Sequence, residues 1–289
     1  MLSIKYIGSG SRGNSALIML GRRPFLLDAG LSKKRIEEAL RHEGFSFENL
    51  GGIFLTHEHG DHTCGLANIL KKVSIPIITS KGTFKALTEK GLDIPQAVFL
   101  RSGKEFEFEG TRIWPFSVPH DSPEPIGIRI ERNGIILGIA TDIGHLTTEI
   151  LRNLSDCDIL CLESNYDEDM LSKCSYPAWL KSRIRGPLGH LANSGTRGIL
   201  TRLKKSLKNL ILVHLSQESN TPELVLENLE LIRNIEHLRE TIITVALQNK
   251  PTQMISIGAQ KNILKNKSRI RRIKHFQESL SALMGEDFF

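Results

Sequence analysis

Thr56-His57-Glu58-His59-Gly60-Asp61-His62 sets four metal-ligating side chains, His57, His59, Asp61 and His62, within six consecutive positions. Imidazoles crowd in this way when they share a cation, and the density suits a hydrolase built around two metals better than a structural role. The run Ile53-Phe54-Leu55 follows a Gly-Gly pair and is apolar and partly β-branched, which predicts a buried strand ending at Thr56 and a loop from His57. Alternate side chains of an extended segment point the same way, so His57 and His59 are expected to grip one cation while Glu58 faces elsewhere. Gly60 is read as the residue that permits a sharp turn. Beyond it, Asp61 and His62 are expected to face a second cation about 3.5–4 Å from the first. A helix over residues 63–72 would hold the loop.

Three further donors stand where an apolar run meets a polar break. His120 follows residues 113–118, Asp142 follows Gly134-Ile-Ile-Leu-Gly-Ile-Ala140, and His214 follows Asn209-Leu-Ile-Leu-Val213.

The motif and the ordered ligands after it resemble the metallo-β-lactamase fold, whose signature is His-x-His-x-Asp-His. That resemblance spans nearly the whole chain. It implies an α/β protein, an αββα sandwich of two mixed sheets covered by helices. It also implies two divalent metal ions, zinc or manganese, held by His57, His59, Asp61, His62, His120, Asp142 and His214, with Asp142 bridging. A narrower resemblance rests on Glu163-Ser-Asn-Tyr, Gly189-His-Leu-Ala-Asn193, His214-Leu-Ser, Gly8-Ser-Gly-Ser-Arg-Gly-Asn-Ser15 and Leu27-Asp-Ala-Gly30. These look like the WalJ/YycJ group, which is similar to the β-CASP nucleases. Glu163, His190 and His214 match the carboxylate and two histidines that follow the bridging aspartate in those nucleases. Gly189-His190 lacks their preceding serine, and Leu215 replaces a glycine. The resemblance implies a metal-dependent 5′ to 3′ exonuclease acting on DNA, with a hydroxide held by two cations as the nucleophile. Asp61, His190 and Glu163 are the residues expected to carry the chemistry. His190 would grip a phosphate oxygen or protonate the leaving oxygen, or else merely cap the helix starting near Asn193. Glu163 would orient His190 or a metal-bound histidine. Asp28 would anchor the loop beneath the metals or form an Asx-turn. Residues 9–14 would offer N–H groups to a phosphate or form a tight turn.

Composition is compatible with this. The 289 residues are 40% hydrophobic, enough for one large domain with a full core, and the formal net charge of +6 favours an anionic partner. Lys181, Arg183 and Arg185 precede His190, and Arg197, Arg202, Lys204, Lys205 and Lys208 follow it, a cluster that would track a phosphate backbone into the site. Residues 165–187 are the one candidate cap, too short for a full β-CASP insertion. The division expected is a hydrolase domain over residues 1–260 and a basic extension over 261–289, carrying Lys265, Lys267, Arg269, Arg271, Arg272 and Lys274 and read as a frayed basic helix. Four cysteines, Cys64, Cys157, Cys161 and Cys174, show no CxxC or secreted framework, no leader pattern opens the chain, and no apolar run has membrane-spanning length, so the expected setting is cytoplasmic. Cys64 reads as a small buried thiol behind the metals.

The rest of the chain alternates strands and helices. Strands are expected over 3–7, 15–20, 25–27, 75–79, 159–162 and 209–213, four more between Val98 and Ala140, and two between Ile242 and Ile257. Helices are expected over 32–42, 81–90, 146–154, 193–207 and 222–234. Two rival functions share these features: a small-molecule metallohydrolase of the lactonase or thioesterase kind, and a nucleic-acid-binding protein whose metal site is not catalytic. The basic cluster argues against the first and the intact ligand set against the second. Oligomeric state is not encoded in any of these patterns.

Overall fold

The computed structural model describes residues 1–258; the basic stretch beyond residue 260 lies outside the described residues. Strands β1 (Leu2–Gly8), β2 (Ser15–Leu20), β3 (Arg23–Leu27), β4 (Ile53–Phe54), β5 (Ile77–Thr79) and β6 (Ala97–Phe99) lie side by side in chain order. The second sheet holds β7 (Phe106–Phe108), β8 (Thr111–Ser117), β9 (Ile126–Arg132), β10 (Ile135–Ala140), β11 (Ile159–Glu163), β12 (Asn209–Val213) and β13 (Ile242–Val245), again in order, and β14 (Ile255–Ile257) returns to pair with β1. Both sheets are mixed: β1 to β3 and β7 to β10 pair antiparallel, whereas β3 to β6 and β10 to β13 pair parallel.

Helices cover the outer faces. On the first sheet lie α1 (Lys33–His42), α2 (Gly60–Thr63), α3 (Leu66–Leu70) and α4 (Lys81–Glu89). Ile36, Leu40, Leu66, Ile69 and Leu87 pack there against Leu17, Met19, Leu26 and Ile53. The second sheet carries α5 (Thr148–Leu154) and, after α6 (Glu168–Lys173) and α7 (Ala178–Arg185), which pack in a separate cluster with Tyr166, α8 (Asn193–Leu200) and α9 (Pro222–Glu230). From these, Ile150, Leu154, Ile199 and Val225 pack on Leu160, Leu162, Leu210 and Leu212. Between the sheets lies a third apolar layer, in which Leu2, Ile4, Ile18 and Leu27 meet Ile128, Ile139, Cys161 and Ile211. Alternate residues of β11 and β12 thus enter different layers, which is why these strands are apolar throughout rather than alternating. The arrangement is the expected αββα sandwich.

Some boundaries differ from the sequence reading. The helix expected over 63–72 is two short ones, because Gly65 is wedged so tightly that an added Cβ would sit 2.1 Å from Leu31 O. The helix expected over 193–207 stops at Leu200, where the chain turns to let Lys204 and Lys205 N–H groups bond Ser155 O. Five strands, not four, occupy the stretch around Val98 to Ala140, the first of them completing the first sheet. Gly60 does not make a sharp turn: it opens α2 behind His59 as N-cap, is absent from the positive-φ residues, and a Cβ there would meet nothing within 4 Å.

Candidate metal centre

Pairing direction decides where the donors go. β1 and β3 run the same way as β4, and β8 runs the same way as β10, β11 and β12, so all their carboxyl ends open at one end of the sandwich. Asp28 leaves β3, His57 to His62 follow β4, His120 follows β8, Asp142 follows β10, Glu163 ends β11 and His214 follows β12. Three of these, Asp28 (φ 54°), Asp142 (φ 58°) and His214 (φ 59°), stand in the left-handed region. The other non-glycine residues there, Glu109 and Asn133, each precede a positive-φ glycine in a hairpin turn. The strand exits at the site therefore carry backbone strain of the kind that clusters at functional positions.

The seven expected ligands are brought together in two sets. His57, His59 and His120 form one, and Asp61, His62, Asp142 and His214 the other, with donor atoms inside each set within 4.8 Å of one another. Outer partners fix the imidazole protons. His120 Nδ1 lies 3.1 Å from Gly189 O and His59 Nε2 3.2 Å from Asp121 O, so each ring donates there. His120 Nε2 and His59 Nδ1 consequently confront each other at 3.3 Å as two lone pairs with no proton between them. His57 Nδ1 faces Thr56 Oγ1 at 3.1 Å, while that hydroxyl donates to the Asp28 carboxylate, leaving His57 Nε2 buried with no hydrogen-bond partner.

The second set follows the same logic. His62 Nδ1 donates to Asp28 Oδ2 at 2.8 Å and His214 Nδ1 to Glu163 Oε1 at 3.1 Å. Their Nε2 atoms then face carboxylate oxygens: His62 lies 3.4 Å from Asp61 Oδ2 and 3.2 Å from Asp142 Oδ2, and His214 lies 3.1 Å from Asp61 Oδ2 and 3.5 Å from Asp142 Oδ1. Asp142 Oδ1 is also 3.8 Å from His120 Nε2, so this carboxylate touches both sets. Ligands about 2.1 Å from a tetrahedral metal stand about 3.4 Å apart. The observed separations are those of ligand edges, and the orphaned His57 Nε2 and Asp142 Oδ2 are buried acceptors awaiting a positive charge. The residues fit a pair of divalent cations.

Electrostatics of the polypeptide alone agree. Burial, reinforced by the neighbouring His62, holds His57 well below the ordinary imidazole value, and burial also lowers His120. Burial opposes charge on His214 too, yet Asp142, Asp61 and Glu163 outweigh it and lift the ring to about 10. Asp142 and Asp28 likewise raise His62 against burial. Despite burial, the histidines hold Asp61 and Asp142 far below the usual carboxylate range. One set resists protons and the other favours them, and a cation bound among these donors would displace protons from the second.

Glu163 is fully buried and accepts four N–H groups. Oε1 takes His190 Nδ1 at 2.8 Å and His214 Nδ1, and Oε2 takes the backbone N–H of Ile143 at 2.6 Å and of Leu191 at 3.2 Å. It thus touches both residues named for it. His190 does not cap α8, whose N-cap is Ala192 without a side-chain bond; its ring stacks on His214 with centroids 5.2 Å apart. His59, Asp61 and His190 keep side-chain exposures of 26, 25 and 14%, against 5% or less for His57, His62, His120, Asp142 and His214, and so define the mouth.

Other expectations divide. Glu58 turns away to accept from Ser122 Oγ at 2.6 Å. Asp28 anchors the loop through Thr56 N at 2.9 Å and also reaches His62, a bond invisible before the fold. Residues 9–14 form the tight turn: Asn14 Oδ1 takes Ser9 Oγ and Gly10 N, and Ser9 Oγ in turn accepts His214 N at 2.8 Å. Asn14 N also bonds Asp61 O at 2.7 Å, so this turn braces a ligand from each half. Asn165, whose Nδ2 donates to His214 O at 2.8 Å, is a further brace that only its place after Glu163 could have suggested. Cys64 is exposed, not buried, because α2 turns it outward, where Sγ bonds Gly30 O at 3.0 Å. The basic cluster also splits. Lys205 and Lys208 bind Asp158 at 3.0 Å, beside the amino end of β11 and about 16 Å of strand away from the mouth. Arg183 of α7 stays near the mouth, bonded to Asp121 Oδ2 at 2.7 Å.

A family model described as "Beta-lactamase superfamily domain" matches residues 23–215. The exodeoxyribonuclease WalJ of Streptococcus pneumoniae is 31% identical over 230 residues, covering 77% of this chain and 86% of the relative. The exodeoxyribonuclease YycJ of Bacillus anthracis is 29% identical over 226 residues with the same coverage. Among solved structures, the metallo-β-lactamase fold protein YhfI of Bacillus subtilis superposes with a TM-score of 0.67 at 13% identity, over 88% of this chain and all of that one. Among the described residues no helix is long and apolar enough to cross a membrane. With the fold, the donor sets and a family match over residues 23–215 in agreement, the chain belongs to the β-lactamase superfamily and is a hydrolase of its metallo-β-lactamase branch.

Proposed function

We propose that this chain is a dinuclear metal-dependent phosphodiester hydrolase that degrades DNA from the 5′ end, using two divalent cations, zinc or manganese. The observation that carries the reading is the lone-pair confrontation of His59 and His120 beside a second donor set, with Asp142 against both. The relatives named exodeoxyribonuclease supply the substrate class. His57, His59, His120 and Asp142 would hold one cation, and Asp61, His62, His214 and Asp142 the other. Cations there would supply a water ionised near neutral pH and offset charge building on the phosphoryl oxygens. Asp28 and Thr56 keep His57 and His62 in the tautomers that present Nε2 inward. Glu163 does the same for His214 and holds the proton on His190 Nδ1, so that His190 Nε2 is the atom offered to substrate. As the imidazolium, with the Glu163 carboxylate as counter-ion, His190 would donate its Nε2–H to a phosphoryl oxygen or give that proton to the leaving oxygen, returning to the neutral Nδ1–H form. Residues 261–289 are proposed as a basic extension of a hydrolase domain spanning 1–260.

The test uses duplex DNA and RNA labelled at either the 5′ or the 3′ end, with manganese or zinc. DNA should shorten from its 5′ end, Asp61→Asn should abolish the reaction, and His190→Ala should slow it by about 10²–10⁴. Equal rates for wild type and Asp61→Asn, or turnover of lactones and thioesters without any of nucleic acid, would refute the proposal.

A further inference from the structure

The cap offers a second feature. Helix α7 reads Ala-Trp-Leu-Lys-Ser-Arg-Ile-Arg and carries three cations and no acid. Its Trp179 is 68% exposed and has no ring partner among the described residues, whereas the chain's other tryptophan, Trp114, has guanidinium groups of Arg112 and Arg129 at 5.1 and 5.8 Å from its ring. An aromatic of this size left bare beside cations is unusual on a surface with no partner.

Position links it to the mouth. Ile184 faces the core and its carbonyl accepts His190 N at 2.9 Å, while Gly189 passes so close beneath that an added Cβ would lie 2.3 Å from Arg183 O. The helix is therefore fastened directly above His190. Arg183 Nε binds Asp121 Oδ2 at 2.7 Å, and Asp121 O receives His59 Nε2. Trp179 is four residues before Arg183, on the same flank and about 6 Å further along the axis. Half-buried His59 and exposed Asp121, Arg183 and Trp179 thus succeed one another outward from the metal centre.

We propose that Trp179 is a stacking platform for unpaired bases of a single-stranded nucleic acid whose end lies at the metal centre, with Arg183, on the same flank of α7, facing its phosphates. This rests on the phosphodiesterase reading and adds the strandedness of the bound substrate. A base inside a duplex already has both faces stacked, whereas an unpaired one gains by covering an indole, and a guanidinium beside it meets the backbone whatever the sequence.

The experiment measures kcat and KM on single-stranded DNA oligonucleotides of two to twelve residues, for wild type, Trp179→Ala and Trp179→Phe, in the loaded enzyme. Wild-type KM should fall about ten- to a hundredfold once the strand is long enough to reach α7, with kcat moving little. Trp179→Ala should lose that step, and Trp179→Phe should recover most of it. The same step in Trp179→Ala overturns the proposal while leaving phosphodiester hydrolysis intact. So does a change in self-association of that variant, seen by light scattering, without a change in the step. Cleavage of duplex DNA with none of any single-stranded oligonucleotide also overturns the proposal, whereas cleavage of neither means that the underlying nuclease reading fails instead.

Discussion

Replacing Glu163 with glutamine isolates what a fully buried acceptor does for the centre. The carboxylate takes four N–H groups, two from His190 and His214 and two from the backbone of Ile143 and Leu191. An amide has one acceptor oxygen and one donor nitrogen. If its oxygen faces the histidines, its NH2 meets two backbone N–H groups, which become orphaned at about 1–3 kcal/mol each, or about 2–6 kcal/mol of stability together. If it flips, the NH2 confronts the imidazoles and drives their protons to Nε2, where His214 must be bare to bind a cation. Either route also weakens metal binding, by about 10- to 100-fold for loss of such an orienting partner. Urea denaturation of chelated protein reads the first effect and calorimetric titration with zinc the second. His190→Ala, which leaves the His214 and backbone bonds to Glu163 in place, should retain metal affinity while losing turnover. A Glu163→Gln protein with wild-type denaturation midpoint and zinc affinity would refute the reasoning, because in either orientation two of the four buried donors lose their acceptor.

Away from the site, Asp158 is buried and its pKa is lowered: burial raises it, but the Ile136 N–H and the ammonium groups of Lys205 and Lys208 outweigh that. A carboxylate with a folded pKa below its unfolded value of about 3.9 stabilises fully above that pH and loses its contribution as pH falls through the folded value. Asp158→Asn should therefore cost about 1 kcal/mol at pH 7, given two half-exposed lysine partners, and the gap to wild type should close below about pH 4; urea titrations at both pH values decide it. Glycines make a second contrast. Alanine at Gly30 would put its Cβ 1.6 Å from Asp61 O, so Gly30→Ala should displace the Asp61 loop, cost more than about 3 kcal/mol and reduce bound metal measured by elemental analysis. Gly60→Ala meets nothing and should change stability by less than about 1 kcal/mol.

Much of the centre was legible because its donors obey local rules. An apolar run that ends at His57, Asp142 or His214 marks a strand exit, and parallel pairing then sends those exits to one edge. What stayed hidden depended on tertiary packing. The break at Gly65 comes from a backbone contact with Leu31, 34 positions earlier in the chain, which no helical period records. Lys205 and Lys208 lie near His190 in sequence yet sit at the far end of the strands, because α8 runs down the sheet between them. Cys64 is a small thiol beside the motif, and only the direction of α2 decides that it faces out. Asp28 could be read as an anchor from its place after β3, but its bond to His62 requires β3 and β4 to be neighbours.

The same tertiary partners explain why a bare peptide carrying Thr56 to His62 would be a poor match for this centre. Isolated, each histidine is free to carry its proton on either nitrogen and to rotate. In the fold, Asp121 O, Gly189 O, Thr56, Asp28 and Glu163 each remove one nitrogen from the choice, and the remaining ones are forced toward one another. That convergence has a cost: two lone pairs at 3.3 Å, two buried acceptors without donors, and three non-glycine residues in left-handed backbone. Left-handed backbone alone costs about 1–3 kcal/mol at each such residue. The sandwich supplies this from three packed apolar layers, which hold the strand ends that carry the donors. Preorganisation of this kind predicts which residues matter beyond the ligands: those that hold a proton in place, rather than those that merely lie close.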